Sequence, residues 1–325
     1  MHRSRITKFL LAGALSMSGA ATSAADADAF PSQPMRIMVG FAAGSASDIL
    51  ARIVATKLGD AWGKPVVVEN RPGAGGVVSA QAVLAAPPDG HTLLVVSAGH
   101  AVSAALYPKL PYDTERDFAG VSVLASVPSI LVVAPNSPVK SVKDLVAHVR
   151  QNPGGQYSSP GIGSANHLAG ALFGSLADVR VEHVPYKGIP QALQAAMTGE
   201  VLFNFSPVVN VLPAVAGGKV LALAASTAKR AAAMPDLPTM AEAGVPGYAF
   251  DPWFGLLASS KVPRPVVAKL NREVVRILGL PDVKKQLLGM GAEPMPTTPE
   301  AFDAQVRDEI RKFAKLARDA NIKVE

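Results

Sequence analysis

The chain has 325 residues, of which 49% are hydrophobic and 17% charged, so its composition is that of a folded protein and not of a disordered one. It contains no cysteine, which excludes disulfides, thiolate zinc sites, iron–sulfur clusters and thiol nucleophiles. The formal net charge of +6 includes three basic residues near the N-terminus, and the remaining half is too small to indicate a nucleic-acid-binding protein.

The N-terminal segment has the three parts of a secretory signal peptide. Arg3, Arg5 and Lys8 form a basic start, an uncharged apolar stretch covers residues 9–21, and small residues follow it. That stretch is shorter than the roughly 20 residues that a membrane-spanning helix needs. We therefore predict that residues 1–25 are a signal peptide and that the mature chain is exported; an uncleaved anchor is the alternative.

Downstream of this segment, short β-branched runs alternate with helical patterns, which is typical of βα units around parallel sheets. In chain order, the predicted strands cover 35–41, 65–69, 92–97, 121–124, 130–134, 156–159, 181–184, 201–205, 220–225 and 253–258. The predicted helices cover 49–58, a segment that ends near 84, then 142–150, 165–176, 190–198 and 266–278, and a last helix begins at Pro299 after the N-cap Thr298. Prolines and polar residues interrupt the uncharged stretches 118–139 and 201–218, so neither is predicted to span a membrane.

Two predicted βα turns, at 44–48 and 158–164, are rich in glycine and serine. The free N–H groups and the dipole of a helix N-terminus favour an anion, glycines allow close approach, and serines add hydroxyl donors. Because the two turns belong to separate βα cycles, we predict two lobes that hold one anionic ligand; ordinary capped loops are the alternative. The candidate contacts are Gly44, Ser45 and Ser47 for one carboxylate and Ser159, Gly161, Gly163 and Ser164 for the other end.

Four further residues at strand ends are candidates for the ligand site. Tyr186 and Lys187 follow a strand and would line the cleft from the second lobe, and Lys187 is the cation that would pair with an acid. A solvated or interlobe role is the alternative for this lysine. Asn204 and Ser206 would contact the variable part of the ligand.

Three other residues near these positions are predicted to be structural. Asp48 would cap the first helix, His167 would pack in the first turn of its helix, and Trp253 would pack between the lobes near the hinge. Ligand contact for Asp48 and a cleft wall for Trp253 are the alternatives.

The sequence offers no catalytic constellation. It has no Gly-x-Ser-x-Gly elbow and no phosphate-binding Gly-x-x-x-x-Gly-Lys-Ser/Thr loop, and the turn 71–76 lacks the spacing of a dinucleotide site. Its histidines are scattered without a metal-binding spacing. We therefore predict a protein that is not an enzyme, with no cofactor and no metal.

Several short motifs, in this order and spacing, resemble one family over almost the whole mature chain, from residue 34 to about 323. They are Phe41-Ala42-Ala43-Gly44-Ser45-Ala46-Ser47-Asp48, Val68-Glu69-Asn70-Arg71-Pro72-Gly73-Ala74-Gly75-Gly76, Pro88-Asp89-Gly90-His91-Thr92-Leu93, Leu110-Pro111-Tyr112-Asp113, Asp117-Phe118, Ser164-Ala165-Asn166-His167-Leu168-Ala169-Gly170, Val184-Pro185-Tyr186-Lys187-Gly188, Leu237-Pro238-Thr239-Met240-Ala241-Glu242-Ala243-Gly244 and Trp253-Phe254-Gly255-Leu256. The chain resembles the periplasmic solute receptors of tripartite tricarboxylate transporters, often called the Bug family.

The resemblance implies an α/β protein with the type II periplasmic-binding-protein fold, in which two α/β lobes are joined by two crossing strands. One lobe would comprise 27–129 plus 249–325 and the other 130–248. A small organic acid would bind in the interlobe cleft through backbone amides, hydroxyls and water. The expected partner is a membrane permease of two integral subunits, and the receptor is expected to be a periplasmic monomer; a sensor that presents its closed form to a membrane signalling partner is the alternative.

The sequence departs from the family pattern in both turns. Ser45 stands where the family usually has a second glycine, and Ser47 takes the place of a threonine. Pro160 and Ile162 stand where smaller or polar residues are common. These changes would alter the width and polarity of the cleft, so we make no prediction of which acid binds.

Overall fold

The computed structural model describes residues 29–41, 43–107, 109–161 and 164–319. The predicted signal peptide, Ile162 and Gly163 lie outside the described residues. Within them, no helix is long and apolar enough to cross a membrane.

Strands and helices alternate along the described chain. The strands are β1 Met35–Val39, β2 Val66–Asn70, β3 Thr92–Ser97, β4 Phe118–Ser126, β5 Ser129–Val133, β6 Gly155–Ser159, β7 Val181–Pro185, β8 Phe203–Pro207, β9 Leu221–Ala225, β10 Trp253–Ser259 and β11 Glu293–Pro294. The helices are α1 Ala46–Trp62, α2 Val77–Leu84, α3 Gly99–Leu106, α4 Val142–Gln151, α5 Ala165–Ala177, α6 Ile189–Thr198, α7 Val208–Ala216, α8 Arg264–Gly279, α9 Pro281–Gly289 and α10 Pro299–Asp319, with a short 3-10 turn at Ala74–Gly76.

The strands form two sheets that divide the chain into two α/β layers. The first sheet has the order β11-β4-β10-β3-β1-β2 and the second β7-β6-β8-β5-β9. The chain passes from the first sheet to the second between β4 and β5, through Val127-Pro128, and returns between β9 and β10. The first sheet is therefore built from both ends of the described chain and the second from its middle.

Both sheets are mixed, which corrects the expectation of parallel sheets. The strands of the βα units are parallel: β1 pairs with β2 and β3, and β6 pairs with β7 and β8. The strands next to the two passages are antiparallel to their neighbours. In this way β10 pairs with both β3 and β4, and β5 pairs with both β8 and β9. A strand that enters a sheet without a crossover helix is free to run in the opposite direction.

The last helix joins the two layers. Phe302 and Val306 of α10 pack in a core with Trp253 of the first sheet. Further along the same helix, Phe313 and Leu316 pack in the core of the second sheet. The amphipathic pattern predicted for this helix thus covers both layers with one face.

Candidate functional site

The first predicted turn lies between β1 and α1. Gly44 has a φ of +82°, a left-handed conformation that favours glycine. Ser45 is the N-cap residue, with φ −69° and ψ 159°, and its hydroxyl accepts a hydrogen bond of 3.3 Å from the N–H of Asp48. The first two N–H groups of the helix, at Ala46 and Ser47, lack intrahelical acceptors and suit an anion.

Asp48 was predicted to cap this helix, but the cap is Ser45, and Asp48 lies in the first turn and supports the loop from its buried side. Its carboxylate accepts the N–H of Gly44 at 2.9 Å and the amide of Asn70 at 2.9 Å, and it pairs with Arg52 at 2.9 Å. Burial alone would raise the pKa of Asp48, but the hydrogen bonds from Arg52, Gly44 and Asn70 and the charge of Arg52 hold it below its ordinary value. Because the N–H of Gly44 is engaged here, the donors left for a ligand are the N–H groups of Ala46 and Ser47.

The second predicted turn, between β6 and α5, repeats the geometry of the first. Ser164 is the N-cap residue, with φ −69° and ψ 156°, and its hydroxyl accepts the N–H of His167 at 3.2 Å. The same hydroxyl donates to the carbonyl of Gly161 at 2.7 Å, and Gly161 has a φ of +134°. Two helix N-termini, each behind a glycine with a left-handed φ, therefore carry the same serine cap.

Ser159 lies beneath the second turn and is fully buried. Its hydroxyl accepts the N–H of Gly161 at 3.1 Å and lies 3.2 Å from the hydroxyl of Ser164. On its other side, the hydroxyl lies 2.6 Å from Nε2 of His183. The structure therefore places Ser159 as a support of the turn.

Two stacked imidazoles lie behind Ser159. The rings of His167 and His183 are 4.0 Å apart between centroids and nearly parallel. Burial lowers the pKa of His183 to about 4, and burial together with the nearby His183 lowers that of His167 to about 3. Both rings are therefore neutral near pH 7.

Tyr186 and Lys187 follow β7 directly beside the second turn. The N–H of Tyr186 donates to the carbonyl of Ser159 at 2.8 Å, which ties the two strand ends together. The hydroxyl of Tyr186 donates to Glu200 at 2.8 Å, and burial, this hydrogen bond and the charge of Glu200 raise the tyrosine pKa. The side chain of Lys187 is exposed.

Asn204 and Ser206 are buried within the second layer. The Asn204 amide donates to the carbonyl and to the hydroxyl of Ser158, each at 2.9 Å, and its own oxygen accepts the Ser206 hydroxyl at 2.5 Å. Ser47 in the first layer is also buried, at 2% exposure. Ligand contact for these three buried side chains stays a prediction.

Trp253 is fully buried at the start of β10, immediately after the second passage between the sheets. Its indole N–H points at the carboxylate of Glu309, 2.7 and 2.8 Å from the two oxygens. The ring packs edge-on against Phe302 at 5.1 Å between centroids. These contacts place it between β10 and α10.

The sequence did not predict a third βα turn, which follows β3. A small cavity lies at the carboxyl ends of β1 and β3 and is lined by Gly40, Phe41, Gly75, Gly76, Ser79, Ser97 and His100. Nε2 of His100 is buried there without a hydrogen-bond partner among the described residues. The sequence signal was the Ser97-Ala98-Gly99 stretch after a buried strand, which is shorter and less polar than the other two turns. No group of three or more metal-binding side chains occurs in the described part of the chain.

The chain matches known proteins over nearly its whole length. The family described as "Tripartite tricarboxylate transporter family receptor" (TctC) matches residues 50–322. A protein from the tcbD–tcbE intergenic region of Pseudomonas sp. strain P51 is 37% identical over 310 residues, which cover 94% of this chain and 92% of that protein.

Solved structures that share this fold include two with a bound acid. R. palustris Rpa4515, solved with adipate, is 35% identical with a TM-score of 0.79, and the match covers 90% of this chain and 99% of that one. MatC from Rhodopseudomonas palustris, solved with bound malate, is 34% identical with a TM-score of 0.74, and the match covers 88% of this chain and 99% of that one. The predicted fold, with two α/β lobes of the periplasmic-binding-protein type, is confirmed. The chain therefore belongs to the receptor family of the tripartite tricarboxylate transporters, as its motifs predict, and is a solute-binding receptor of the periplasmic type and not an enzyme.

Proposed function

We propose that this protein captures a small organic acid, as its carboxylate, in the cleft between its two lobes. It delivers the acid to a tripartite tricarboxylate-type permease with two integral membrane subunits. The receptor acts in the periplasm as a monomer, after residues 1–25 have directed its export. One lobe comprises 27–129 plus 249–325 and the other 130–248.

The pair of serine-capped helix N-termini carries this proposal. Ser45 and Ser164 have the same backbone conformation, and each cap occupies the third N–H of its helix while the first two N–H groups are left for an anion. The two turns belong to different sheets, so an acid that touches both would bridge the lobes. Relatives at 34–35% identity were solved with adipate and malate, which are small dicarboxylates.

Bridging gives the ligand a way to change the conformation. An acid that contacts both turns gains interactions only when the lobes approach each other, so binding shifts the equilibrium towards the closed form. The permease then recognises the closed receptor.

Calorimetric titration of residues 27–325 with mono-, di- and tricarboxylates tests the binding. Ser45→Ala and Ser164→Ala should each weaken the affinity for the acid that binds. Ser141→Ala is the matched control, since Ser141 caps α4 with the same bond, 3.1 Å to the N–H of Asp144. All three variants lose about 1 kcal/mol of stability through the cap. The proposal requires that only the first two also lose affinity.

Equal affinities in all four proteins, or binding restricted to neutral or cationic solutes, would overturn the carboxylate assignment. Delivery is tested separately by uptake of the labelled acid in cells that lack either the receptor or the permease subunits. Uptake must fail in both strains.

A further inference from the structure

We propose that His183 is a positioning residue of the acid-binding site, which acts through Ser159 on the second turn. This inference rests on the function proposed above. It adds to that function a residue that never touches the ligand and that none of the sequence motifs singles out.

The sheet brings His183 to Ser159. In the parallel pair β6–β7, His183 lies opposite Tyr157, and Ser159 is two residues further along the same face of β6. The imidazole spans this diagonal and places Nε2 at 2.6 Å from the Ser159 hydroxyl oxygen.

Ser159 connects His183 to residues on both sides of the second turn. Its oxygen lies 3.1 Å from the Gly161 N–H, 3.0 Å from the Gly161 carbonyl oxygen and 3.2 Å from the Ser164 hydroxyl. A serine hydroxyl has one hydrogen and two lone pairs, so its orientation depends on which partners it has. The contact with His183 uses either the hydrogen or one of the lone pairs, and it therefore limits the orientations that the Ser159 hydroxyl can adopt.

The second turn also fixes the position of the N-terminus of α5. Ser164 accepts the His167 N–H and donates to the Gly161 carbonyl, so the cap and the left-handed glycine are held by the same small network. Ser159 is fully buried, whereas Ser164 is partly exposed. The buried hydroxyl therefore orients the groups that face the solvent.

Packing fixes the imidazole itself. The His183 ring stacks on His167 at 4.0 Å and lies 5.2 Å from the Tyr157 ring, and the Tyr157 hydroxyl donates to the His167 carbonyl at 3.1 Å. Burial keeps the ring neutral near pH 7, so it presents one donor and one acceptor. A neutral ring adds no charge behind the turn, and its contribution to anion binding is geometric.

A double-mutant cycle tests this route of action. The probes are adipate and malate, titrated calorimetrically at pH 7.5 into the wild type, His183→Leu, His183→Gln, Ser159→Ala and the double variant Ser159→Ala/His183→Leu. We expect His183→Leu to weaken binding about tenfold, which corresponds to about 1.4 kcal/mol. His183→Gln, whose amide retains a hydrogen bond to Ser159, should stay close to the wild type. In the Ser159→Ala background, His183→Leu should have little further effect.

The control is His148→Leu, on α4 outside this network, which should leave the affinity unchanged. The same loss from His183→Leu in both backgrounds would show that His183 does not act through Ser159. An unchanged affinity in His183→Leu would also overturn the proposal.

A measurement without ligand separates this inference from the proposed function. Amide hydrogen exchange should become at least several-fold faster at Gly161 and His167 in His183→Leu, and not in His183→Gln, while the amides of α7 keep their rates. If neither acid binds the wild type, these two acids are not its ligands, and the exchange result still decides the role of His183. Unchanged exchange at both amides would overturn that role.

Discussion

At the residue scale, the first turn depends on the buried carboxylate of Asp48. Asp48 is 2% exposed, and donors from Gly44, Asn70 and Arg52 surround both of its oxygens. Without these donors a buried carboxylate would be costly, and without the carboxylate the donors would lose their acceptor. The position in the first turn of α1 adds a favourable interaction with the helix dipole.

We expect Asp48→Asn to destabilise the protein by about 2 kcal/mol, because the amide brings an N–H₂ group towards existing donors and removes the charged partner of Arg52. Urea unfolding at pH 7 measures this change. Asp144→Asn is the control, since Asp144 occupies the same first-turn position on α4 but is exposed. Equal losses in the two variants would contradict the argument from burial.

Acid should weaken the same turn. The pKa of Asp48 is lowered in the folded protein, so its contribution is complete above the ordinary value of 3.8 and is lost as the pH falls through the folded value. The difference in unfolding free energy between the wild type and Asp48→Asn should therefore shrink below about pH 4. A difference that stays constant from pH 7 to pH 3 would contradict this.

The sequence predicts those site features that depend on neighbours along the chain. A cap and the helix it caps lie within a few residues of each other, so both turns could be located from the sequence, although the first cap was assigned to Asp48 and lies at Ser45. The supports come from distant positions: Asn70 is 22 residues from Asp48, and His183 is 24 residues from Ser159. Such pairs are fixed by strand register and by the packing of helices on strands, which the pattern along the sequence does not reveal.

At the element scale, a strand is predicted best where its centre is uniformly apolar. Thr92–Ser97 has the predicted bounds because residues 93–96 are all apolar. The strand β4 is buried throughout but was predicted only over 121–124, because Gly120 and Ser122 interrupt its apolar residues. The helix Val208–Ala216 was missed because Pro213 lies inside it. Its buried Val208, Val211 and Ala214 supply packing that overrides the weak local propensity.

The last helix shows how one element serves both layers. Between its two apolar ends, Glu309 accepts the Trp253 N–H, and Lys312 donates to the Ala249 carbonyl at 2.6 Å. Both partners lie on the segment by which the chain returns to the first sheet. The middle of α10 therefore contacts this passage, and its two ends pack on the two cores.

We expect Glu309→Gln to change how stability depends on pH. Burial raises the pKa of Glu309 to about 7, so between its ordinary value of 4.5 and about 7 the folded state binds more protons than the unfolded state. The contribution of Glu309 to the free energy of unfolding therefore falls as the pH rises through that range. The glutamine variant does not lose stability in this way. In urea unfolding at pH 5, 6, 7 and 8, the variant should gain relative to the wild type as the pH rises. The exposed neighbouring variant Asp308→Asn should show a constant difference; a constant difference for Glu309→Gln as well would contradict the argument.

At the scale of the whole molecule, two layers are connected by two passages of the chain and by helices that pack on both. The first core is built from strands and helices of both ends of the described chain, whereas the second comes mainly from its middle, with residues of α3 and α10 added. Relative motion of such layers requires changes in the passages and at α3 and α10, and it leaves the two serine-capped turns intact. This architecture suits a receptor whose two turns must approach a ligand from opposite sides.

An acid that bridges the turns should therefore change the distance between the layers and leave each layer unchanged. Because the chain contains no cysteine, Gln81→Cys on α2 and Gln194→Cys on α6 provide two unique and exposed labelling sites, one on each layer. With spin labels at both sites, a saturating acid that binds by calorimetry should shift the distance distribution by several ångströms and narrow it. A pair within one layer, Gln81→Cys with Lys269→Cys, should keep its distribution, because α2 and α8 flank the same sheet. If the interlayer distribution stays the same while calorimetry shows binding, the cleft is preformed, and the permease must recognise the bound acid by some means other than closure.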